Sequence, residues 1–402
     1  MKQITIYERF LSLDRSSVSY EANRCLHSYN KNSMCNSCYT ICPVDAIHPG
    51  TPPELDSQAC QTCMACLTVC PTGAFQADDS VQDLLICATR LESKKIELVC
   101  ALHPDPGFGV SQETEAIQVK GCLAGLGAGA FLALAALDIQ EIYVRTEACG
   151  DCPWGILKDR ISSQVEVANK LVTQFKEVQL FKLVDTLDPD LEVQRPFWKA
   201  ENPPLSRRDL FRMAAQRSQV VAARALSAGQ ANHAGRRPGR ERRRMNEALQ
   251  RLGAAQGIPD LEMGDYGYAT LNVSEDCSAC GVCARACPTG ALVFSQAFGK
   301  SFSLSFEPGN CIGCEICVQV CAPKAIVVSH HANSLSVFPQ ETPVILCEGD
   351  LSHCERCNGL FASSAGSTLC PVCQARRSNP FGSQLPPSLE HLQSLIDQRK
   401  NS

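Results

Sequence analysis

The sequence predicts an α+β multidomain protein. Two cysteine-rich modules, each built of two halves, flank a small α/β domain with a parallel sheet, and a four-cysteine ribbon follows. Three observations carry this. First, 26 cysteines in 402 residues fall into four blocks: eight within 25–70, five within 87–152, eight within 277–321 and five within 347–373. Second, four hexapeptides repeat: Cys42-Pro-Val-Asp-Ala-Ile47, Cys70-Pro-Thr-Gly-Ala-Phe75, Cys287-Pro-Thr-Gly-Ala-Leu292 and Cys321-Ala-Pro-Lys-Ala-Ile326. They pair, 42 with 70 and 287 with 321, as two copies of a two-part unit. Third, apolar strand-like runs between the units (Ile96–Cys100, Ile117–Cys122, Ile142–Thr146, Val178–Val184) alternate with helical stretches. That βα rhythm is the signature of a parallel sheet.

Composition narrows the class. An apolar content of 45% with 20% charged residues suits folded domains. A net charge of −5 argues against nucleic acid as main partner, since phosphate binding needs a basic surface. A secreted disulfide scaffold is usually short with evenly spread cysteines, whereas here C-x2-C runs recur at metal-ligand spacing. The N-terminal stretch MKQITIYERFLSLDRSS has charges throughout and no apolar core, so it does not read as a signal peptide, and the chain is expected in the cytoplasm. The 17 uncharged residues between Lys120 and Asp138 approach membrane-spanning length. Their glycines and alanines read instead as a buried helix, and no membrane span is expected.

The boundaries that follow are a cluster-binding module at 1–80, a cysteine-containing α/β domain at 81–198 and a basic linker at 199–262. A second module at 263–340, the ribbon at 341–378 and a polar tail at 379–402, with a short helix over Ser388–Arg399, complete the chain.

Cys277-x2-Cys280-x2-Cys283-x3-Cys287-Pro and Cys311-x2-Cys314-x2-Cys317-x3-Cys321 are two complete cluster-binding runs. Short C-x2-C-x2-C loops wrap three corners of a cubane, and the fourth thiolate comes from the other run. The segment of about 270–330 resembles the bacterial two-cluster [4Fe–4S] ferredoxin family. The resemblance implies one cluster on Cys277, Cys280, Cys283 and Cys321, and another on Cys311, Cys314, Cys317 and Cys287. Ala322 before Pro323 departs from that family by one residue without removing a ligand.

The first module has one complete run, Cys60-x2-Cys63-x2-Cys66-x3-Cys70-Pro71. Its partner, Cys35-x2-Cys38-x3-Cys42-Pro43, lacks the first cysteine, and Cys25 stands in at a distance, across a loop that closes at modest entropic cost. Crossed as before, the sets are Cys25, Cys35, Cys38, Cys70 and Cys60, Cys63, Cys66, Cys42. Four [4Fe–4S] clusters in one chain suit conduction of single electrons.

In the central domain Cys100, Cys122, Cys149 and Cys152 sit at or just after the carboxyl ends of three strands, the edge where open α/β sheets bind ligands. Residues 95–185, with Lys120-Gly-Cys-Leu-Ala-Gly-Leu followed by Ala148-Cys-Gly-Asp-Cys-Pro, are similar to the delta subunit family of methyl-viologen-reducing hydrogenases. That resemblance implies a [2Fe–2S] cluster on a small α/β fold. A redox-active dithiol at Cys149 and Cys152, or inert thiols, remain the other readings. Cys87 reads as a core residue and His103 as a loop histidine. Gly125-Leu-Gly-Ala-Gly129 lacks the strand–turn–helix dinucleotide pattern, so no flavin or nicotinamide is expected.

Cys354-x2-Cys357-x12-Cys370-Pro-x-Cys373 is a pair of knuckles for one tetrahedral metal, zinc or iron, with Cys347 outside the set. Its spacing resembles the rubredoxin-like domain of rubrerythrins, although Asn358 stands where that family usually has glycine. Residues 199–251 carry 13 Lys or Arg against 4 Asp or Glu and read as an exposed, partly helical linker, in which Arg236–Arg244 is a solvated charge run, with docking to an acidic redox partner as its other reading. Ser206-Arg-Arg-Asp-Leu-Phe-Arg212 lies mid-chain without an apolar stretch after it and does not read as an export signal. With that opening, residues 203–330 resemble the accessory ferredoxins of periplasmic nitrate reductase.

The expected function is therefore an electron-transfer component, rather than a catalytic subunit, whose redox partner is a molybdenum enzyme or a hydrogenase. The rivals are a thiol/disulfide or persulfide reductase at the central cysteines and an assembly factor for a metalloenzyme.

Overall fold

We describe a computed structural model over residues 18–176, 178–187, 193–204, 236–254, 257–297, 300–339, 343–362 and 367–378. The Ser206–Arg212 motif and the Ser388–Arg399 helix lie outside the described residues.

The first module comprises β1 (Ser19–Tyr20), α1 (Leu26–Tyr29), α2 (Ser37–Thr40), β2 (Ile47–His48), β3 (Glu54–Leu55), α3 (Ala65–Val69) and β4 (Phe75–Gln76). β1 pairs antiparallel with β4, and β2 with β3.

The central domain adds α4 (Val81–Ala88), β5 (Lys95–Val99), β6 (Phe108–Gly109), β7 (Glu115–Gln118), α5 (Gly127–Ala135), β8 (Glu141–Arg145), α6 (Lys158–Lys176), β9 (Phe181–Val184), β10 (Val193–Gln194) and β11 (Phe197–Lys199). Its sheet has the order β11-β7-β5-β8-β9, every pair parallel. Ile96, Leu98, Ile117, Ile142 and Val144 are buried, as strands covered on both faces require. Buried Glu97 on β5 is held by Arg145 at 2.6 Å and by Arg195, which leads into β11, at 2.7 Å. The uncharged run 121–137 is a 3-10 turn (Leu123–Gly125) followed by buried α5. Among the described residues no helix is long and apolar enough to cross a membrane.

The basic run departs from expectation. Residues Arg240–Leu252 form α7, which is docked rather than solvated. Met245, Ala248 and Leu249 make a buried stripe at helical spacing, which the surrounding arginines mask in any charge count. Gly129 lets α7 approach α5 closely: a Cβ there would stand 2.9 Å from the Met245 backbone nitrogen. Glu241 accepts a hydrogen bond from the Gly129 N–H at 2.6 Å, satisfying one of the free donors at the start of α5. Arg244 grips Asp79 with both terminal nitrogens, at 2.6 and 2.8 Å, and Arg240 reaches the same carboxylate at 3.0 Å. Asn246 donates to the Gly309 carbonyl at 2.8 Å, and Arg242 lies 3.5 Å over the Tyr268 ring. One helix thus touches the first module, the central domain and the second module.

The second module repeats the first: β12 (Thr270–Val273), α8 (Val282–Ala286), β13 (Leu292–Ala297), β14 (Ser301–Phe306), α9 (Ile316–Gln319) and β15 (Ile326–Ser329). β12 pairs with β15 and β13 with β14, matching the pairings of the first module. In all four hexapeptides the alanine is buried and the apolar residue after it opens a strand. The residue before the alanine is left-handed each time: Asp45, Gly73, Gly290 and Lys324 have φ of 50, 64, 71 and 55°. After α10 (Ser334–Val337) come β16 (Val344–His353), β17 (Leu360–Ala362) and α11 (Pro371–Ser378). β16 pairs antiparallel with β14 and with β17, so one four-stranded sheet runs from the second module into the ribbon.

Candidate metal centres

The three complete C-x2-C-x2-C runs share a backbone device. The second and fourth residues after the first cysteine are left-handed: Thr62 and Met64, Ala279 and Gly281, Gly313 and Glu315. Such turns aim successive N–H groups into a concavity suited to an anionic centre. In the second module burial pushes the Cys283 thiol up to about 11, with Cys280, Cys277 and Cys321 adding to it. Burial likewise pushes Cys317 up to about 12, reinforced by Cys311, Cys314 and Cys287. The chain therefore packs two thiol sets drawn across the two runs. Hydrogen bonds to the sulfurs come from the hexapeptides: Ala325 N–H to Cys321 Sγ at 3.3 Å, with the Thr289 hydroxyl 3.6 Å from Cys287 Sγ.

The first module brings its cysteines together in the same way. Burial pushes Cys38 up to about 12, followed by the effects of Cys70, Cys35 and Cys25. Cys63 is pushed up to about 11 by burial, with Cys42 and Cys60 as its thiol neighbours. Ala74 N–H donates to Cys70 Sγ at 3.2 Å, and the Thr72 hydroxyl lies 3.6 Å from it. No left-handed residue occurs between Cys25 and Cys42. Instead the buried His27 ring bonds through Nε2 to the Cys35 carbonyl at 2.8 Å and closes the loop that places Cys25. Sequence reasoning missed this histidine, because no spacing rule marks a side-chain-to-backbone bond.

At the central sheet Cys100 follows β5, Cys122 follows β7, and Cys149 and Cys152 follow β8. β7 and β8 lie on opposite sides of β5, so the four thiols gather at a topological switch point. Burial pushes Cys122 up to about 12, and Cys100, Cys63 and Cys149 add to it. Burial pushes Cys149 up to about 11, with Cys100 and Cys152 as the next causes. The Cys122 N–H donates to the Cys63 carbonyl at 3.3 Å, and Trp154 Nε1 donates to Gln61 Oε1 at 2.9 Å. The central thiols therefore adjoin the Cys60–Cys66 loop. His103 is buried and bonded to Glu147 at 2.9 Å, and Cys87 is fully buried in the core.

In the ribbon the sulfurs of Cys354, Cys357, Cys370 and Cys373 all lie within 4.8 Å of one another. The Cys357–Cys370 separation is 3.8 Å. A tetrahedron with metal–sulfur bonds of about 2.3 Å has edges of about 3.8 Å, so these four sulfurs fit one metal ion. Backbone N–H groups, that of Cys370 first at 3.2 Å, hold the Cys354 thiol down near 6. Asn358 has φ of 55°, a left-handed conformation that asparagine tolerates better than most residues, so it serves where glycine is usual. Cys347 sits on β16 beside Cys277, away from this set.

Residues 276–326 match the model of the 4Fe-4S dicluster domain family. No curated protein matches the chain. This segment binds [4Fe–4S] clusters, and its buried thiols fit them: burial and neighbouring thiolates disfavour deprotonation, and a cationic iron–sulfur core would compensate the thiolate charges that ligation requires.

Proposed function

We propose that the chain is an iron–sulfur electron-transfer protein relaying single electrons to or from a larger oxidoreductase, of the molybdenum-enzyme or hydrogenase type, in a reducing compartment such as the cytoplasm. The observation that supports it best is adjacency. The central thiols abut the Cys60–Cys66 loop through the Cys122–Cys63 bond, and the first module meets the second through Asn30 Nδ2 donating to Gln319 Oε1 at 2.6 Å. Gln319 lies between Cys317 and Cys321.

In this reading Cys25, Cys35, Cys38 and Cys70, and Cys60, Cys63, Cys66 and Cys42, hold two [4Fe–4S] clusters. Cys277, Cys280, Cys283 and Cys321, and Cys311, Cys314, Cys317 and Cys287, hold two more. Cys100, Cys122, Cys149 and Cys152 hold a [2Fe–2S] cluster, and the ribbon holds zinc or iron. Bound clusters of this kind each take up and release one electron. The chain's own residues would hold the centres in adjoining modules and donate N–H groups to the sulfurs, which tunes potentials. Cys280 is exposed and offers a contact edge to a partner.

The test is a count of iron, acid-labile sulfide and zinc per chain in anaerobically purified protein, with EPR after dithionite reduction. About 18 iron with a [2Fe–2S] signal is expected, about 16 of them in cubanes. Fewer than about 12 after full reconstitution overturns the relay.

A further inference from the structure

The hydroxyl of Tyr20, on β1, is buried and makes no hydrogen bond among the described residues. It lines a small cavity whose wall also holds Cys25, Cys35, Cys38 and Cys70, the set assigned above to one [4Fe–4S] cluster, together with His27. Cys25 is foremost among the thiols facing the hydroxyl, with Cys38 and Cys70 after it, yet none is aligned for a hydrogen bond. The Tyr20 ring packs on buried Phe75 with centroids 4.8 Å apart, so the core, and no polar partner, fixes where the hydroxyl points. A buried hydroxyl left unmet is costly, and at a site built to receive a further group it marks that group as the missing partner.

The internal repeat supplies a comparison. Tyr20 stands opposite Phe75, and the next residue, Glu21, donates its N–H to the Ala74 carbonyl at 2.8 Å. In the second module Val273 stands opposite Ile326, and Ser274 donates its N–H to the Ala325 carbonyl at 2.9 Å. Tyr20 and Val273 therefore hold the same place in the two units, each just before the first cysteine of its set. Val273 fills that place with apolar surface alone and packs on the second module's core. Only the first module adds a hydroxyl there, so packing explains the ring and leaves the oxygen to be explained.

We propose that the Tyr20 hydroxyl donates a hydrogen bond to a sulfur of the cluster held by Cys25, Cys35, Cys38 and Cys70, and so raises that cluster's potential. The proposal rests on the ligand reading given above. Thiolate and sulfide sulfurs gain negative charge when the cluster takes an electron, so a donated O–H favours the reduced state. The phenol keeps its proton throughout. His27 has spent Nε2 on the Cys35 carbonyl, which leaves its Nδ1 unmet on the same wall. A water shared by Tyr20 and His27 is the rival partner for the hydroxyl, and it would leave the cluster's potential to other groups.

The experiment is an EPR-monitored redox titration of cluster-loaded full-length protein, on the parent, Cys25→Ala and Tyr20→Phe. Cys25→Ala should change the signal of one cubane alone, which identifies the component belonging to this set. Tyr20→Phe keeps the ring and its packing, and its iron content should equal the parent's. Its reduction equilibrium at that component should move about fivefold toward the oxidised form, a midpoint lower by roughly 40 mV at about 59 mV per tenfold, with the other components unmoved. Pulsed EPR in light and heavy water should find one exchangeable proton coupling fewer at that component in Tyr20→Phe than in the parent. Unchanged iron and signals in Cys25→Ala would overturn the ligand set and the proposal with it. With the component identified, an unmoved or raised midpoint in Tyr20→Phe, or the same exchangeable couplings as the parent, overturns the proposal alone and leaves the ligand set standing.

Discussion

At the scale of single residues, a left-handed corner recurs one residue before the alanine of every hexapeptide. Gly73 and Gly290 meet it without strain, whereas Lys324 adopts φ of 55° against the clash of its own Cβ. Lys324→Gly should therefore stabilise the second module by about 0.5–1 kcal/mol, after the extra backbone entropy of glycine is deducted. A higher urea midpoint for loss of cluster absorbance would register it; a lower one would contradict it. The threonine two residues after Cys287 acts differently, since its hydroxyl faces a sulfur at 3.6 Å. A hydroxyl donated to a ligating thiolate favours the reduced, more negative centre. Thr289→Val should lower the potential of the cluster on Cys287 by roughly 40 mV, the one-electron equivalent of about 1 kcal/mol. Redox titration followed by EPR measures it. The cysteines themselves were legible because thiolate spacing is local. His27 was not, because its bond to the Cys35 carbonyl joins residues eight apart with no pattern to announce it.

At the scale of elements, α7 is where a reading by charge misled. Thirteen basic residues against four acidic ones look like a solvated stretch, yet Met245, Ala248 and Leu249 carry a buried face. The glycine that receives this helix lies 112 residues from Glu241, beyond any local signal. The parallel sheet was easier: four of its strands show as apolar runs, while β11, short and half-buried, does not. Burial raises the Glu241 carboxyl to about 7, and the Gly129 N–H and neighbouring arginines only partly oppose it. A carboxyl whose folded value lies above its unfolded value of 4.5 contributes stability below about pH 4.5 and loses it as pH rises through about 7. Glu241→Gln removes that dependence. Its stability relative to the parent should grow between pH 5 and pH 8 by on the order of 1–3 kcal/mol. Thermal midpoints of both proteins at the two pH values test this, and a constant difference would refute it.

At the scale of the whole molecule, the ribbon is less separate than its self-contained cysteine pattern suggests. The spacing of Cys354, Cys357, Cys370 and Cys373 is readable, but the pairing of β16 with β14 depends on long-range strand contacts that sequence alone leaves open. Because β16 belongs to both units, a metal held by the ribbon would brace the β13–β14 hairpin, which lies between the two cysteine runs of the second module. Cys370→Ser should lose one zinc or iron per chain, and amide exchange should quicken along β14 as well as within the ribbon. Unchanged exchange in β14 would show that the shared sheet transmits nothing.

The docking of α7 also sets an order of events during synthesis. Asp79 emerges from the ribosome 161–165 residues ahead of the two arginines that clasp it. At about 5–20 residues per second that is a wait of roughly 8–30 s. For that interval the nascent chain displays a carboxylate without its cations, a glycine-bearing face of α5 without its cover and eight unfilled thiols. The faces of the first module and of α5 that α7 packs against therefore stand uncovered on the tethered chain until the helix itself has been made.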